Sequence, residues 1–142
     1  MNRHDDVLAF LASDEEMSAR RHTVSPATID RLREEHSDIP EDYLAYLREV
    51  GCGDHFSDDF TLFGGLVPPD EIFDAESAAE LGGILCFGSY GIGDIVGFLP
   101  GQGWKVVEIE HVLVSAHDVE RTFGELIREL LGMDEPRDTL GP

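Results

Sequence analysis

The hydrophobic pattern of this chain changes from helical to strand-like period near Phe56, and that change bounds what it can fold into. Upstream, apolar residues recur at helical spacing. Ser25 offers a hydroxyl cap ahead of Pro26 at the first helical position, with Ile29 and Leu32 following on one face. Pro40 opens a second helix with the stripe Tyr43, Leu44, Leu47 and Val50, which Gly51 is placed to close. Downstream, β-branched and aromatic residues come in short runs cut by Gly and Pro, at 60–63, 65–68, 84–87, 94–99, 104–109 and 112–114. These are strands. Pro100-Gly101-Gln102-Gly103 is a tight connection that makes a hairpin of 95–99 and 104–109, and the Ala- and Glu-rich 74–81 is helical. Ser115-Ala116-His117-Asp118 has the form of a capping box before a closing helix striped with Val119, Phe123, Leu126, Ile127, Leu130 and Leu131, ending at Gly132. Gly124 inside it leaves two readings open: close helix contact, or a tolerated cost of about 1 kcal/mol against alanine.

Helices, then strands, then one helix, without βαβ alternation, define an α+β class. The expected architecture is a twisted, mostly antiparallel sheet flanked by N-terminal helices and one C-terminal helix. Residues 1–24 read as an N-terminal helical arm with Val7, Phe10 and Leu11 on one side, 25–132 as a single domain and 133–142 as a flexible tail. With 142 residues, 42% of them apolar, one domain of this size buries roughly 70% of its unfolded surface.

Charge narrows the partners. Thirty acids stand against ten bases, for a net charge of −20, and 49–104 holds ten carboxylates without a lysine or arginine. Such a field steers cationic partners into encounter and argues against nucleic acid or anionic lipid as the main ligand. An acidic proteome background is the competing origin, and the single lysine, Lys105, beside nine arginines fits it equally.

Catalytic and cofactor motifs are missing from the sequence. Phe87-Gly88-Ser89-Tyr90-Gly91-Ile92-Gly93-Asp94 is glycine-rich, but its spacing matches neither familiar nucleotide signature and a strand follows it, so it reads as a turn in which Asp94 bonds backbone. Glu108 and Glu110 share a strand face, yet nothing singles out a catalytic pair among thirty acids. Histidines at 4, 22, 36, 55, 111 and 117 lack zincin spacing; Glu110-His111 and His117-Asp118 offer metal ligands, with surface or capping roles preferred. No Gly-x-Ser-x-Gly elbow occurs. Cys52 and Cys86 lie too far apart in sequence for a zinc knuckle and are expected as buried, reduced thiols. The apolar run 7–12 is too short for a signal sequence, and no run approaches a membrane span. The expectation is a cytoplasmic protein without catalytic site, metal or cofactor.

Ile39-Pro40-Glu41-Asp42-Tyr43-Leu44-Ala45-Tyr46-Leu47, then Gly51-Cys52-Gly53, then Phe87-Gly88 leading to Gly93-Asp94 and a hydrophobic strand, then Phe123, together resemble the SUKH superfamily. That group holds the yeast Smi/Knr cell-wall-assembly regulators and many bacterial immunity proteins. The likeness spans about 25–131; a Gly-Gly pair is more typical than Gly51-Cys52-Gly53, and the N-terminal arm lies outside it. It implies an immunity protein that binds a cognate toxin domain and blocks its active site, often a nuclease groove rich in cations. The partner would be protein, with no direct contact to nucleic acid or membrane, and the protein itself a monomer or weak homodimer. The candidate contact residues are Asp54, Asp58, Asp59, Asp70, Glu71, Asp74, Tyr90 and Asp94, on 54–59, 70–80 and 88–94. Tyr90 and Phe56 are the candidate aromatic anchors, with core packing the alternative for Phe56. Two other readings stand beside this one: an adaptor of the same fold, and a small hydrolase using Glu108 with Glu110 or a histidine-carboxylate metal site.

Overall fold

Each strand pairs antiparallel with its neighbour in sequence, so one sheet runs in the order β1 to β7. The computed structural model describes residues 3–57 and 59–133. The strands are β1 (Arg21–His22), β2 (Cys52–Gly53), β3 (Phe60–Val67), β4 (Leu85–Tyr90), β5 (Ile95–Leu99), β6 (Lys105–Glu110) and β7 (Ser115–Asp118). The helices are α1 (Asp5–Ala12), α2 (Glu15–Ser18), α3 (Pro26–Glu35), α4 (Glu41–Glu49), α5 (Ala75–Glu80) and α6 (Phe123–Leu131). This is the α+β class the periodicity predicts. Among the described residues no helix is long and apolar enough to cross a membrane.

Local chemistry sets the helix ends. Ser25 Oγ accepts the Thr28 N–H at 3.2 Å with Pro26 next in line, and Asp74 Oδ1 accepts the Ser77 N–H at 2.8 Å to start α5. After α4, Gly51 takes φ +107° and passes so close to His22 that a β-carbon there would lie 2.4 Å from the His22 carbonyl oxygen. Only glycine lets the chain turn from α4 into β2 against β1.

Alternation along the strands feeds two cores. On one face, Phe60, Leu62, Phe87, Val96, Phe98 and Val106 pack under α3, α4 and α6, around an aromatic group in which Tyr43 meets Phe98 and Phe123 edge-on at 5.2 Å. On the other, Cys86, Ile95, Val107 and Ile109 lie beneath Leu81 and Ile84 of the β3–β4 connection. The arm joins the first core through its described residues, 3–24: Val7, Leu11 and Met17 are buried in it, and Arg128 of α6 holds Asp6 at 2.8 Å.

Three parts of the chain differ from the expectation. Ser115–Asp118 is not a capping box but the last strand, paired with β6 from Val107↔Asp118 to Glu110↔Ser115 and tied by Lys105 to Asp118 at 3.4 Å. The closing helix starts eight residues later, where Thr122 and Glu125 form a reciprocal capping box. Residues 112–114 form the turn before β7 rather than a strand, because the Glu110 carboxylate takes the N–H groups of Val112 and Leu113 at 2.9 and 2.8 Å. The runs 60–63 and 65–68 merge into one strand with a register shift between Leu62 and Val67.

Candidate protein-binding surface

The β5–β6 ladder pairs Ile95 with Ile109, and this register sets the turn before β5 beside the turn after β6. The first closes through Gly93 N–H to the Tyr90 carbonyl at 2.9 Å and Tyr90 N–H to the Asp94 carbonyl at 2.8 Å. Gly93, at φ +109°, lies against the His111 ring, where a β-carbon would fall 3.3 Å from Cγ. The two turns form one tip of the sheet.

Asp94 joins them. It is only 8% exposed, and its Oδ1 accepts both the His111 ring Nδ1–H at 2.5 Å and the His111 backbone N–H at 3.0 Å. Those bonds, the ring's first, hold the Asp94 carboxyl below the usual carboxylate range. Glu110 is likewise lowered, by the Leu113 and Val112 N–H groups. Glu108 moves the other way, raised by burial and by the neighbouring Asp94 charge. One ligand atom from each of Asp94, Glu110 and His111 lies within 4.8 Å of the others, and these residues are the metal-ligand grouping among the described residues.

Around this polar knot the turns expose apolar side chains. Ile92 is 71%, Val112 71% and Leu113 78% exposed, well above the next large hydrophobic, Ile72 at 36%. Isolated exposed aliphatics are ordinary, but three on two adjoining turns form a patch. Asp59 lies beside it: its carbonyl accepts the Gly91 N–H at 2.9 Å, and a β-carbon on Gly91 would overlap its carboxylate.

The predicted contact residues fall into two groups. Asp54 and Asp59, on the β2–β3 loop, and Tyr90 and Asp94, on the β4–β5 turn, share the tip. Asp58 lies outside the described residues. Asp70, Glu71 and Asp74 sit on the connection leaving the opposite end of β3, about 20 Å away along the six residues of β4. The acidic stretch is therefore not one face. Of the exposed candidates only Asp59 is tied to the patch-bearing turns, Asp54 standing at the same end of the sheet beside β2; Asp94 is spent on His111, and Tyr90 is half-buried with its ring edge-on to Phe60 at 5.2 Å. Phe56 is a core residue, 2% exposed.

No protein-family model matches the chain, and neither does any curated protein or solved structure.

The sequence does not single out Ile92, Val112 and Leu113 as exposed apolar residues. A signal was present for Ile92, set between Gly91 and Gly93 where no strand or helix can place it in a core.

Proposed function

We propose that this protein is a non-enzymatic, cytoplasmic binding module of the immunity kind, which blocks the basic groove of a cognate toxin with the tip formed by its β4–β5 and β6–β7 turns. One observation carries the reading: Ile92, Val112 and Leu113 stand exposed together, bordered by the Asp59 and Glu110 carboxylates. Interfaces draw most of their energy from a few apolar anchors that lose water on docking, while charges around them set encounter rate and partner choice. A toxin that grips nucleic acid must present cations, which this tip complements. The SUKH resemblance supplies the biological class, and the net charge of −20 supplies the field.

The test is co-expression with the product of the reading frame beside this gene. Growth arrest by that neighbour is relieved by the wild-type chain and not by a folded Ile92→Asp/Leu113→Asp variant. Arrest that soluble wild-type protein fails to relieve overturns the immunity reading, and relief by the double variant removes the tip from it.

A further inference from the structure

We propose that the tip binds a divalent transition-metal ion, with Zn²⁺ the best fit, through Asp94 Oδ1, Glu110 Oε2 and His111 Nδ1. Zn²⁺ sits about 2.0–2.2 Å from nitrogen and carboxylate oxygen in tetrahedral sites, which spaces the ligand atoms about 3.3–3.6 Å apart. Here His111 Nδ1 is 2.5 Å from Asp94 Oδ1 and 4.0 Å from Glu110 Oε2, so the separations bracket that spacing. Small side-chain rotations bring them to it without moving backbone.

Outer contacts hold the ligands as metal sites require. The His111 N–H fixes Asp94, the Val112 and Leu113 N–H groups fix Glu110, and the β5–β6 ladder ends at Ile95↔Ile109, one residue from each. Glu110 Oε2 keeps a second lone pair for the ion, and Asp94 Oδ1 gains one when the ring proton leaves Nδ1. An imidazole with two carboxylates suits Zn²⁺ better than Mg²⁺ or Ca²⁺, which prefer oxygen alone. Charge favours a cation there, because the carboxyl groups of Asp94 and Glu110 lie about a single imidazole and Glu108 adjoins Asp94. His111, with 40% of its side chain exposed, leaves an approach from solvent and a fourth position for water.

Binding has a definite proton balance. In the neutral ring the proton leaves Nδ1, where it is donated to Asp94, and one is taken up from solvent at Nε2, so the change of tautomer frees the Nδ1 lone pair for the ion with no net loss of a proton. The ion would pin the turn bearing Ile92 to the turn bearing Val112 and Leu113. That consequence rests on the docking role proposed above; metal binding itself does not.

The experiment is calorimetric titration of the full chain with ZnCl₂, with no partner present, for wild type, His111→Ala, Asp94→Asn and His117→Ala, each checked for folding by circular dichroism. Wild type takes one ion per chain in the micromolar range. Binding weakens about tenfold or more in His111→Ala and Asp94→Asn and is unchanged in His117→Ala. Millimolar Mg²⁺ leaves the isotherm in place. Folded wild type that takes up no Zn²⁺ below about 100 µM overturns the proposal, as does equal binding by folded His111→Ala, whose exposed ring can be removed even if Asp94→Asn unfolds.

Discussion

Gly124 of α6 faces the carboxylate of Asp42 on α4 so closely that a β-carbon at 124 would lie 2.6 Å from Oδ2. Asp42 is not free to withdraw. The buried His4 ring sits 3.2 Å from its Oδ1 and holds the carboxyl below its ordinary range. Of the two readings the sequence left for Gly124, close helix contact is the one realised.

Gly124→Ala should therefore destabilise the protein despite improving helix propensity. The substitution gains about 1 kcal/mol from propensity and costs about 1–3 kcal/mol in overpacking, for a net loss of about 1 kcal/mol. Urea unfolding measures it. In an Asp42→Ala background only the Arg128 guanidinium remains close, at 3.2 Å, and its flexible side chain can give, so the same substitution should stabilise by up to about 1 kcal/mol. A stabilising effect in the wild-type background would show that the helices have slack.

His55 gives a pH dependence of defined sign. Its ring is fully buried, stacked on Tyr46 with Nε2 hydrogen-bonded to the Tyr46 hydroxyl at 2.9 Å, while Nδ1 has no partner among the described residues. Burial pushes the imidazole down to about 4, with Arg21 opposing its charge further. The unfolded ring titrates near 6.5, so the unfolded state binds the extra proton first. The contribution is whole above about pH 6.5 and is lost as pH falls from there to about 4, on the order of 3 kcal/mol in all. Denaturation midpoints across that window should fall with acid in wild type, and much less in His55→Gln. Parallel curves for the two proteins would remove His55 as the source.

What the sequence made legible is what depends on neighbours in the chain. The starts of α3 and α4, the β5–β6 hairpin and the turn to strand-like period after Phe56 all rest on residues a few positions apart, and each appears in the structure. The start of α6 was not legible, because Ser115-x-x-Asp118 and Thr122-x-x-Glu125 both fit a capping box. Pairing with β6 and the Lys105 ion pair, distant in sequence, settle which one caps. The tip was half legible for a similar reason. Charge counted along the chain merges Asp59 with Asp70, though β3 carries them to opposite ends of the sheet, and Val112 and Leu113 look like core until the Glu110 carboxylate folds them into a turn.

That separation makes the charge testable by position. Long-range steering decays over about 8 Å at physiological ionic strength, so carboxylates at the tip should dominate association there. With a basic toxin partner, Asp54→Asn/Asp59→Asn should lower the association rate and flatten its dependence on salt, while Asp70→Asn/Glu71→Gln does little. Stopped-flow kinetics over a salt series decides it. Equal effects from both pairs would mean that net charge acts, not the tip.

The second core depends on one close approach. A β-carbon at Gly97 would lie 2.7 Å from the Leu85 carbonyl oxygen, 2.9 Å from Ile84 Cγ2 and 3.1 Å from the Cys86 Cα. Two of these are backbone atoms within the β4–β5 ladder, which cannot yield without breaking the pairing of Cys86 with Gly97. Gly97→Ala should cost about 1–3 kcal/mol or more, the upper end of overpacking penalties. The damage has a local reporter, because Cys86 is fully buried beside this contact and burial pushes its thiol up to about 12. In a Cys52→Ser background the Cys86 thiol should resist an aromatic disulfide reagent in otherwise wild-type protein and react much faster once Gly97→Ala lifts the Leu81 and Ile84 cover. Unchanged reactivity with unchanged stability would mean that the connection shifts to accept the methyl group, and that the sheet's second face is less tightly closed than its distances imply.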